Sequence, residues 1–134
     1  DLCSEKSLPI SEVMIRREMQ LGETRREAIL DRIDASLRIM NTSVDRAISD
    51  PVRSMGGLIG GEAKRMDDLD ESKKICGPII HGAITNALAV SETNASMGVI
   101  VAAPTAGSSG VLPAVLISMY EHGNIDMDTL EEDL

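Results

Sequence analysis

Apolar side chains recur at intervals of three and four along the first half of the chain, a spacing typical of amphipathic helices. The longest such pattern predicts a helix that ends at Asp50-Pro51, because the residue before a proline disfavours the helical conformation. Its apolar stripe consists of Ile29, Ile33, Leu37, Met40, Val44 and Ile48. A shorter helix is predicted from a cap at Ser11 to about Leu21, ending at Gly22.

The start and the end of the long helix carry further signals. Thr24-Arg25-Arg26-Glu27 predicts a capping box, in which the Thr24 and Glu27 side chains satisfy each other's backbone N–H groups. Residues 52–61 form a predicted loop whose glycine pairs, Gly56-Gly57 and Gly60-Gly61, require positive φ or close backbone approach. A short polar helix over 62–69 and a charged linker over 67–74 are predicted to follow.

The second half of the chain has a different pattern, because apolar and small residues occupy almost every position. A helix is predicted from Pro78, a favourable first-turn residue, to about Ser91. Within it the pairs Ile79/Ile80, Ala83/Ile84 and Ala87/Leu88 repeat every four residues. Residues 93–103 are ambiguous, because Val99-Ile100-Val101 favours a strand and Asn94-Ala95-Ser96-Met97 favours a helix, and we interpret them as a buried helical turn. One helix is predicted from Val111 to Tyr120, closed by Gly123, and another is predicted to start at Asp126 or Asp128.

Composition favours an all-α fold. The chain has 134 residues with no Trp, no Phe, one Tyr and eight Met. Its core must therefore be built from aliphatic residues and methionine, which suit helices and irregular packing. A β-sandwich would normally contain more aromatic residues. We predict an irregular helical bundle.

Charge divides the chain into a charged helical part, 1–74, and a motif-bearing part, 75–134, which is nearly neutral to Tyr120 and ends in an acidic tail over 121–134. All thirteen Lys and Arg residues lie between Lys6 and Lys74, and Glu92 is the only formally charged residue from Ile75 to Tyr120. The net charge of −9 argues against nucleic-acid binding, which needs a basic surface. Polar and glycine residues interrupt the neutral part, so no membrane span is predicted.

Two cysteines, Cys3 and Cys76, are far apart and have no CxxC spacing. This content indicates a reducing cytoplasm and no disulfide framework. Cys76 is predicted to be a small buried hydrophobe, and no metal ligands are predicted in this chain.

The loop Thr105-Ala106-Gly107-Ser108-Ser109-Gly110 is the first candidate for binding chemistry. It opens onto a predicted helix, whose first turn offers backbone N–H groups and the positive end of the helix dipole. Its glycines permit close approach and its hydroxyls add donors, so a carboxylate or phosphate is a plausible ligand class. The alternative is that Ser109 caps the helix and the glycines only form a turn.

Glu92 is the second candidate, because a carboxylate in an apolar region is costly to bury without a partner. It could act as an acid or base, or bind a substrate ammonium group. The alternative is an ion pair with an arginine of the first half, or exposure at a helix end. Asn94, two residues later, can hydrogen-bond a polar ligand.

The segment from Ala89 to Gly98, Ala-Val-Ser-Glu-Thr-Asn-Ala-Ser-Met-Gly, together with Ala103 to Ala114, resembles the signature of iron–sulfur-dependent L-serine dehydratase alpha chains. The run Gly60-Gly61-Glu62-Ala63-Lys64 and the opening 10–14 resemble that family too. The resemblance implies part of a larger helical catalytic domain that deaminates L-serine to pyruvate and ammonia. It implies a [4Fe–4S] cluster as Lewis acid. Within that scheme our hypothesis is that the loop over 105–110 takes the substrate carboxylate and that Glu92 and Asn94 hold or position the ammonium group. The candidate catalytic residue is Glu92, and the candidate substrate-binding residues are Asn94, Lys64, Thr105, Gly107, Ser108, Ser109 and Gly110.

The resemblance also implies missing parts. The family's cluster cysteines lie beyond the end of this sequence, and Cys3 and Cys76 do not match them. The chain is therefore expected to be the N-terminal half of the catalytic domain, inactive alone. Its expected partners are the remainder of the alpha chain, a beta domain or subunit, and L-serine, with self-association through apolar surface. The alternatives are a related cluster-dependent lyase, such as a cysteine desulfidase, and a non-enzymatic helical interaction module.

Overall fold

The computed structural model describes residues 8–105, 107–123 and 125–126. Within these residues there is no β-strand, which confirms the all-α prediction. In the described part of the chain there are a short 3₁₀ helix over Glu71–Lys73 and five α-helices, which are α1 (Ile10–Gly22), α2 (Arg26–Ser49), α3 (Glu62–Asp67), α4 (Gly77–Ala95) and α5 (Ser108–His122). The helix predicted to start at Asp126 or Asp128 lies outside the described residues.

The chain divides into two compact units, one formed by Asp1–Ser36 with Asp126–Leu134 and the other by Leu37–Ile125. In the described residues of the first unit, Ile15 of α1 is the buried apolar side chain. A left-handed residue, Glu23 with φ of 46°, ends α1, and its N–H donates to the carbonyl of Met19. The Thr24 hydroxyl donates to the carbonyl of Gly22, at 2.8 Å, instead of joining Glu27 in the predicted capping box.

The second unit has a core of small and aliphatic residues. The predicted stripe of α2 is confirmed in this unit, since Leu37, Met40 and Val44 are buried. The other buried apolar residues among the described residues of the unit are Ala47, Ala63, Ala89, Val90, Pro113, Ala114 and Ile117. Because many of these are alanines, backbones approach closely and few bulky side chains are needed to fill the interior.

Helices α4 and α5 pack against each other in antiparallel directions. The Ser118 hydroxyl of α5 donates to the carbonyl of Ile79 at 2.5 Å, near the start of α4. At the other end, Gly110 lies beside Ala87 and Ser91 of α4. Pro78 occupies the first turn of α4 as predicted, whereas Cys76, at its N-cap, is exposed and not the buried hydrophobe that was predicted.

The buried side of α4 contains several polar residues beside Ala89 and Val90, whereas three isoleucines of the same helix are exposed. The buried polar residues are His81, Thr85, Asn86, Glu92 and Thr93. Ile79, Ile80 and Ile84 are exposed, with Ile80 at 53%. The predicted apolar repeat of this helix is therefore real, but most of its large members face outward from the described part of the chain. A helix with large apolar side chains on its exposed side normally packs against a further element there, as helices inside a larger assembly do.

A tight reversal ends α4 at Ala95. Met97 adopts a left-handed conformation with φ of 62°, and the N–H of Gly98 donates to the carbonyl of Thr93 at 2.7 Å. The Met97 N–H donates to Asn94, which completes a Schellman motif. The prediction of a buried helical turn over 93–103 is therefore wrong after Ala95, because the reversal stops the helix, and Val99 is 71% exposed.

Two other predicted boundaries shift. Helix α5 begins at Ser108, three residues before the predicted start at Val111, because Thr105 and Ser108 form the first turn. Helix α3 ends at Asp67, short of the predicted end at Leu69. Across the described residues, none of the helices combines the length and the apolar content that crossing a bilayer requires.

Candidate functional site

Glu92 connects two sequence motifs that are distant along the chain. The carboxylate is buried, with 3% of the residue exposed. Its Oε2 accepts the N–H of Gly61 at 2.7 Å, and its Oε1 accepts the N–H of Ala63 at 2.7 Å. Glu92 thus caps the N-terminus of α3 from another helix, where an anion is favoured by the unpaired N–H groups and the helix dipole.

The backbone of the Gly60-Gly61 pair makes this cap possible. Gly60 has φ of 146° and Gly61 has φ of 91°, as the sequence predicted for these glycines. A Cβ on Gly60 would lie 2.8 Å from the Cα of Arg53, so a larger residue does not fit. The glycines therefore turn the chain so that the N–H groups of Gly61 and Ala63 both point to the Glu92 carboxylate.

A second buried contact fixes the same end of α4. The Thr93 hydroxyl donates to the carbonyl of Ser43 on α2 at 2.6 Å. Adjacent side chains, Glu92 and Thr93, thereby hold α4 to α3 and to α2. Both contacts satisfy polar groups that would be expensive to bury alone.

Glu62, the first residue of α3, lies at the same junction. Its Oε2 accepts the N–H of Gly60 at 2.6 Å, and its Oε1 pairs with Arg65 at 2.9 Å. These hydrogen bonds, with that from Gly60 the strongest, hold the pKa of Glu62 below its usual range. The side chain of Lys64 is exposed and pairs weakly with Asp68, with 3.8 Å between Nζ and Oδ2.

The loop before α5 is organised by its own hydroxyl groups. The Thr105 N–H donates to Ser108 Oγ at 3.0 Å, and the Ser108 N–H donates to Thr105 Oγ1 at 3.1 Å. This reciprocal arrangement has the form of a capping box. Ser109 Oγ accepts the N–H of Ala103 at 3.1 Å, so it supports the incoming chain and does not cap the helix as the alternative predicted.

The structure brings only some of the predicted site residues together. Gly110 lies beside Ser91, the neighbour of Glu92, and Gly107 is exposed at the start of α5. Asn94 is exposed near the end of α4. Among the described residues, no hydrogen bond joins Glu92 to Asn94 or to the hydroxyls of residues 105–109. The roles predicted for these residues in catalysis and substrate binding stay predictions.

Sequence reasoning missed a second group of polar residues, in the first half of α4. His81, Thr85 and Asn86 are buried there, and they line a cavity with His122 of α5. Their spacing of four and five residues was a usable signal, because it places polar side chains on one side of a helix. The isoleucine repeat on the same helix led to the opposite prediction, that the isoleucines are buried and the polar residues exposed.

The described residues do not form a ligand set for a metal cluster. Cys76 is the one cysteine among them and it is exposed, while Cys3 lies outside the described residues. No group of three or more His, Cys, Asp or Glu side chains in the described part is arranged to hold a metal ion. A [4Fe–4S] cluster requires several converging thiolates, which these residues do not supply.

Comparison with known proteins gives one consistent family. The profile of the serine dehydratase alpha chain matches residues 5–134. The chain is 39% identical over 125 residues to the probable L-serine dehydratase alpha chain of Bacillus subtilis, covering 92% of this chain and 41% of that protein. It is 36% identical over 132 residues to the L-serine dehydratase alpha chain of Peptoniphilus asaccharolyticus, covering 98% of this chain and 45% of that protein.

L-serine dehydratase 2 of Escherichia coli is a more distant relative, 29% identical over 124 residues that cover 85% of this chain and 26% of that protein. No solved structure matches significantly. The chain thus spans less than half the length of the curated relatives it matches.

Proposed function

The chain belongs to the serine dehydratase alpha-chain family, and from this premise we propose that it forms part of an enzyme that deaminates L-serine to pyruvate and ammonia. The observation that supports the proposal is the identity of 36–39% to L-serine dehydratase alpha chains along nearly the whole chain. The two segments that resemble the family signature, 60–64 and 89–98, also meet in the structure through Glu92.

The loop over 105–110 is the proposed binding place for the substrate carboxylate. Its reciprocal Thr105–Ser108 hydrogen bonds hold the first turn of α5 in one arrangement before any ligand binds. An anion at this position gains from the helix dipole, and to reach the N–H of Ser108 it must displace that group from Thr105 Oγ1. Asn94 and Lys64, both exposed, are proposed to contact polar groups of the substrate.

Glu92 is the proposed catalytic carboxylate, and its geometry sets a condition on that role. Both of its oxygens accept backbone N–H groups and only 3% of the residue is exposed, so proton transfer to a substrate requires an opening that brings a free lone pair of the carboxylate into contact with it. Without such opening, Glu92 acts on the reaction by positioning α3 against α4. The two roles predict different behaviour for a glutamine variant.

The proposed enzyme needs partners that supply what this chain lacks. The described residues do not fit the [4Fe–4S] cluster, so we place its ligands outside them and expect this chain to be inactive alone. The exposed isoleucines of α4, Ile79, Ile80 and Ile84, are proposed to pack against the remainder of an alpha chain. In its absence the same face would drive self-association. A beta domain or subunit and a cytoplasmic location are further proposals.

The first test combines anaerobic iron–sulfur reconstitution with an assay of pyruvate formation from L-serine. The chain is assayed alone and after mixing with the remaining alpha segment and the beta partner of a curated relative. We expect cluster absorbance and pyruvate only in the complete mixture. In that mixture Ser108→Ala is expected to raise KM for L-serine, whereas Ser49→Ala, which removes another exposed helical hydroxyl, leaves it unchanged.

Other outcomes separate the alternatives. A mixture that binds the cluster but turns over L-cysteine and ignores L-serine would favour a related lyase. A chain that stays monomeric and forms no complex with the remaining segment would favour a separate helical module. For Glu92→Gln, a large loss of kcat in a protein of nearly normal stability supports the catalytic role. A loss of kcat that is proportional to the loss of folding stability supports the positioning role.

A further inference from the structure

A second cavity, of about 270 Å³, opens between the second half of α2 and the segment that follows the reversal after α4. Its apolar walls include Ile39 of α2 and Val99 of that segment. An engineered apolar cavity of about 150 Å³ binds benzene, so this one has room for an apolar group of about six carbons. Its lining residues have no part in the catalysis or the substrate binding proposed above.

The hydroxyl groups of the lining already donate to the backbone. Thr42 Oγ1 donates to the carbonyl of Arg38 at 2.8 Å, and Ser43 Oγ donates to the carbonyl of Met40 at 2.7 Å. Thr93 Oγ1 donates to the carbonyl of Ser43 at 2.6 Å. A hydroxyl has one proton to donate. The arginines therefore remain as the side-chain hydrogen-bond donors of the described lining.

The charge of the cavity is positive. Arg38 and Arg46, about two helical turns apart on α2, belong to the lining, and its described residues include no carboxylate. Arg46 also lines an adjoining recess with Asp50 and Glu92. Within the described residues neither carboxylate forms an ion pair with Arg46, and Glu92 accepts from backbone N–H groups instead. Arg46 is thus the cation that an anionic ligand can engage.

The reversal after α4 brings this cation and the apolar walls together. A Cβ on Gly98 would lie 3.3 Å from Nη1 of Arg46. Because position 98 has no side chain, the guanidinium lies against the backbone of the reversal, beside Val99. The planar guanidinium group binds a carboxylate through two parallel hydrogen bonds. The cavity therefore combines a carboxylate-binding group with an apolar surface, which is the usual composition of a small-molecule site.

We propose that this cavity binds a monocarboxylate with an apolar body of about six carbons, its carboxylate accepting from Arg46 and its hydrocarbon part covering Ile39 and Val99. A neutral ligand of the same shape would leave the guanidinium without a partner. An amino acid would place its ammonium group beside arginines and no carboxylate, so it is disfavoured here. The proposal does not depend on the chain having dehydratase activity.

The test is an NMR titration of the chain, labelled at its isoleucine and valine methyl groups, with 4-methylpentanoate. Two related ligands are titrated separately. 4-Methylpentanol has the same hydrocarbon without the charge, and L-leucine adds an ammonium group to 4-methylpentanoate. We expect the methyl resonances of Ile39 and Val99 to shift saturably with 4-methylpentanoate. The alcohol and L-leucine should each bind at least about fivefold more weakly.

Arg46→Gln removes the charge from an exposed side chain and should weaken the binding of 4-methylpentanoate at least about fivefold, with the affinity for the alcohol unchanged. Arg32→Gln, earlier on α2 and outside the lining, is the matched control. If Arg46→Gln does not fold, the comparison of the three ligands on the unaltered chain still decides. No saturable shift at Ile39 and Val99, equal affinity for the alcohol or for L-leucine, or an equal loss in Arg32→Gln would each overturn the proposal.

Discussion

Two carboxylates, Glu12 in the first unit and Glu92 in the second, show opposite ways to satisfy a negative charge. Glu12 lies on α1 and accepts hydrogen bonds from Arg16 at 2.6 Å and Arg26 at 2.5 Å, all near the surface. Glu92 is buried and its described partners are two backbone N–H groups. The Glu12 pairing links α1 to α2 through long flexible side chains. The Glu92 contacts instead reach backbone N–H groups 29 and 31 residues earlier in the chain.

This difference indicates which of the two carboxylates contributes more to the free energy of unfolding. Exposed ion pairs are screened by water and salt and contribute little to stability. A buried carboxylate that accepts backbone N–H groups has no solvent alternative, and removing it leaves those N–H groups buried and unpaired. We therefore expect the buried carboxylate of Glu92 to contribute more to stability than the ion-paired carboxylate of Glu12.

Replacing Glu92 with alanine should give the largest effect. The N–H groups of Gly61 and Ala63 lose their acceptor, and hydrogen bonds to charged groups contribute about 1.5–3 kcal/mol each. We expect the free energy of unfolding to fall by about 3–5 kcal/mol, measured by urea denaturation. The control is Glu18→Ala on an exposed face of α1, expected within about 0.5 kcal/mol of the unaltered chain. Equal effects of the two substitutions would contradict the comparison.

The reversal after α4 gives the next largest effect. A Cβ on Gly98 would lie 2.5 Å from Cγ2 of Thr93 and 2.8 Å from its carbonyl oxygen. Gly98→Ala should therefore displace Thr93, which also anchors α4 to Ser43, and cost about 1–3 kcal/mol. At Gly56 a Cβ meets no atom within 4 Å, so Gly56→Ala should change stability by at most about 1 kcal/mol. Thermal denaturation followed by circular dichroism measures both.

Met97 allows a smaller change of the opposite sign. Its left-handed conformation strains a side chain that is already exposed, and glycine relieves that strain. Met97→Gly should raise the free energy of unfolding by about 0.5–1 kcal/mol, after the entropy cost of glycine is subtracted. Met97→Ala retains the Cβ and should show no such gain. A destabilised glycine variant would indicate that the Met97 side chain has a packing role.

The smallest effect concerns Glu12 and pH. Hydrogen bonds from Arg26 and then Arg16 lower the pKa of Glu12 from its ordinary value of 4.5. A carboxyl whose pKa is lower in the folded state stabilises the protein above its unfolded pKa, and this contribution is lost as pH falls through the folded pKa. Glu12→Gln should therefore lose a small part of stability at pH 7 and none at strongly acidic pH. Added salt should shrink the difference at pH 7, and an effect that persists in high salt would argue against a surface ion pair.

The amphipathic part of the fold was predictable because its pattern and its burial agree. Leu37, Met40 and Val44 recur at helical spacing, and the structure buries them. Helix α4 shows where this reasoning fails, since its large isoleucines are exposed and its buried face contains polar residues. Periodicity distinguishes the apolar face of a helix from its polar face. It correctly predicts that the apolar face is buried only when the segments that pack against that face are present.

The candidate site was predictable as a set of residue types and not as a geometry. The isolation of Glu92 in a neutral region signalled that its burial needed a partner. Its partners are backbone N–H groups at Gly61 and Ala63, which no side-chain motif can reveal. The side-chain amide of Asn86, whose buried Nδ2 has no hydrogen-bond partner among the described residues, was equally hidden, because satisfaction of a polar group depends on every atom that surrounds it.

The sequence by itself determined the all-α class, the amphipathic helix over Arg26–Ser49, the glycine turn at Gly60-Gly61 and the family resemblance. These depend on local spacing, backbone freedom and the order of residues along the chain. Only the tertiary structure decided that Glu92 caps α3, that Thr93 holds α2, and that α4 buries several polar side chains while three of its isoleucines are exposed. The physical reason is that these contacts join residues tens of positions apart, and their free energy depends on burial and on distances that a linear pattern does not contain.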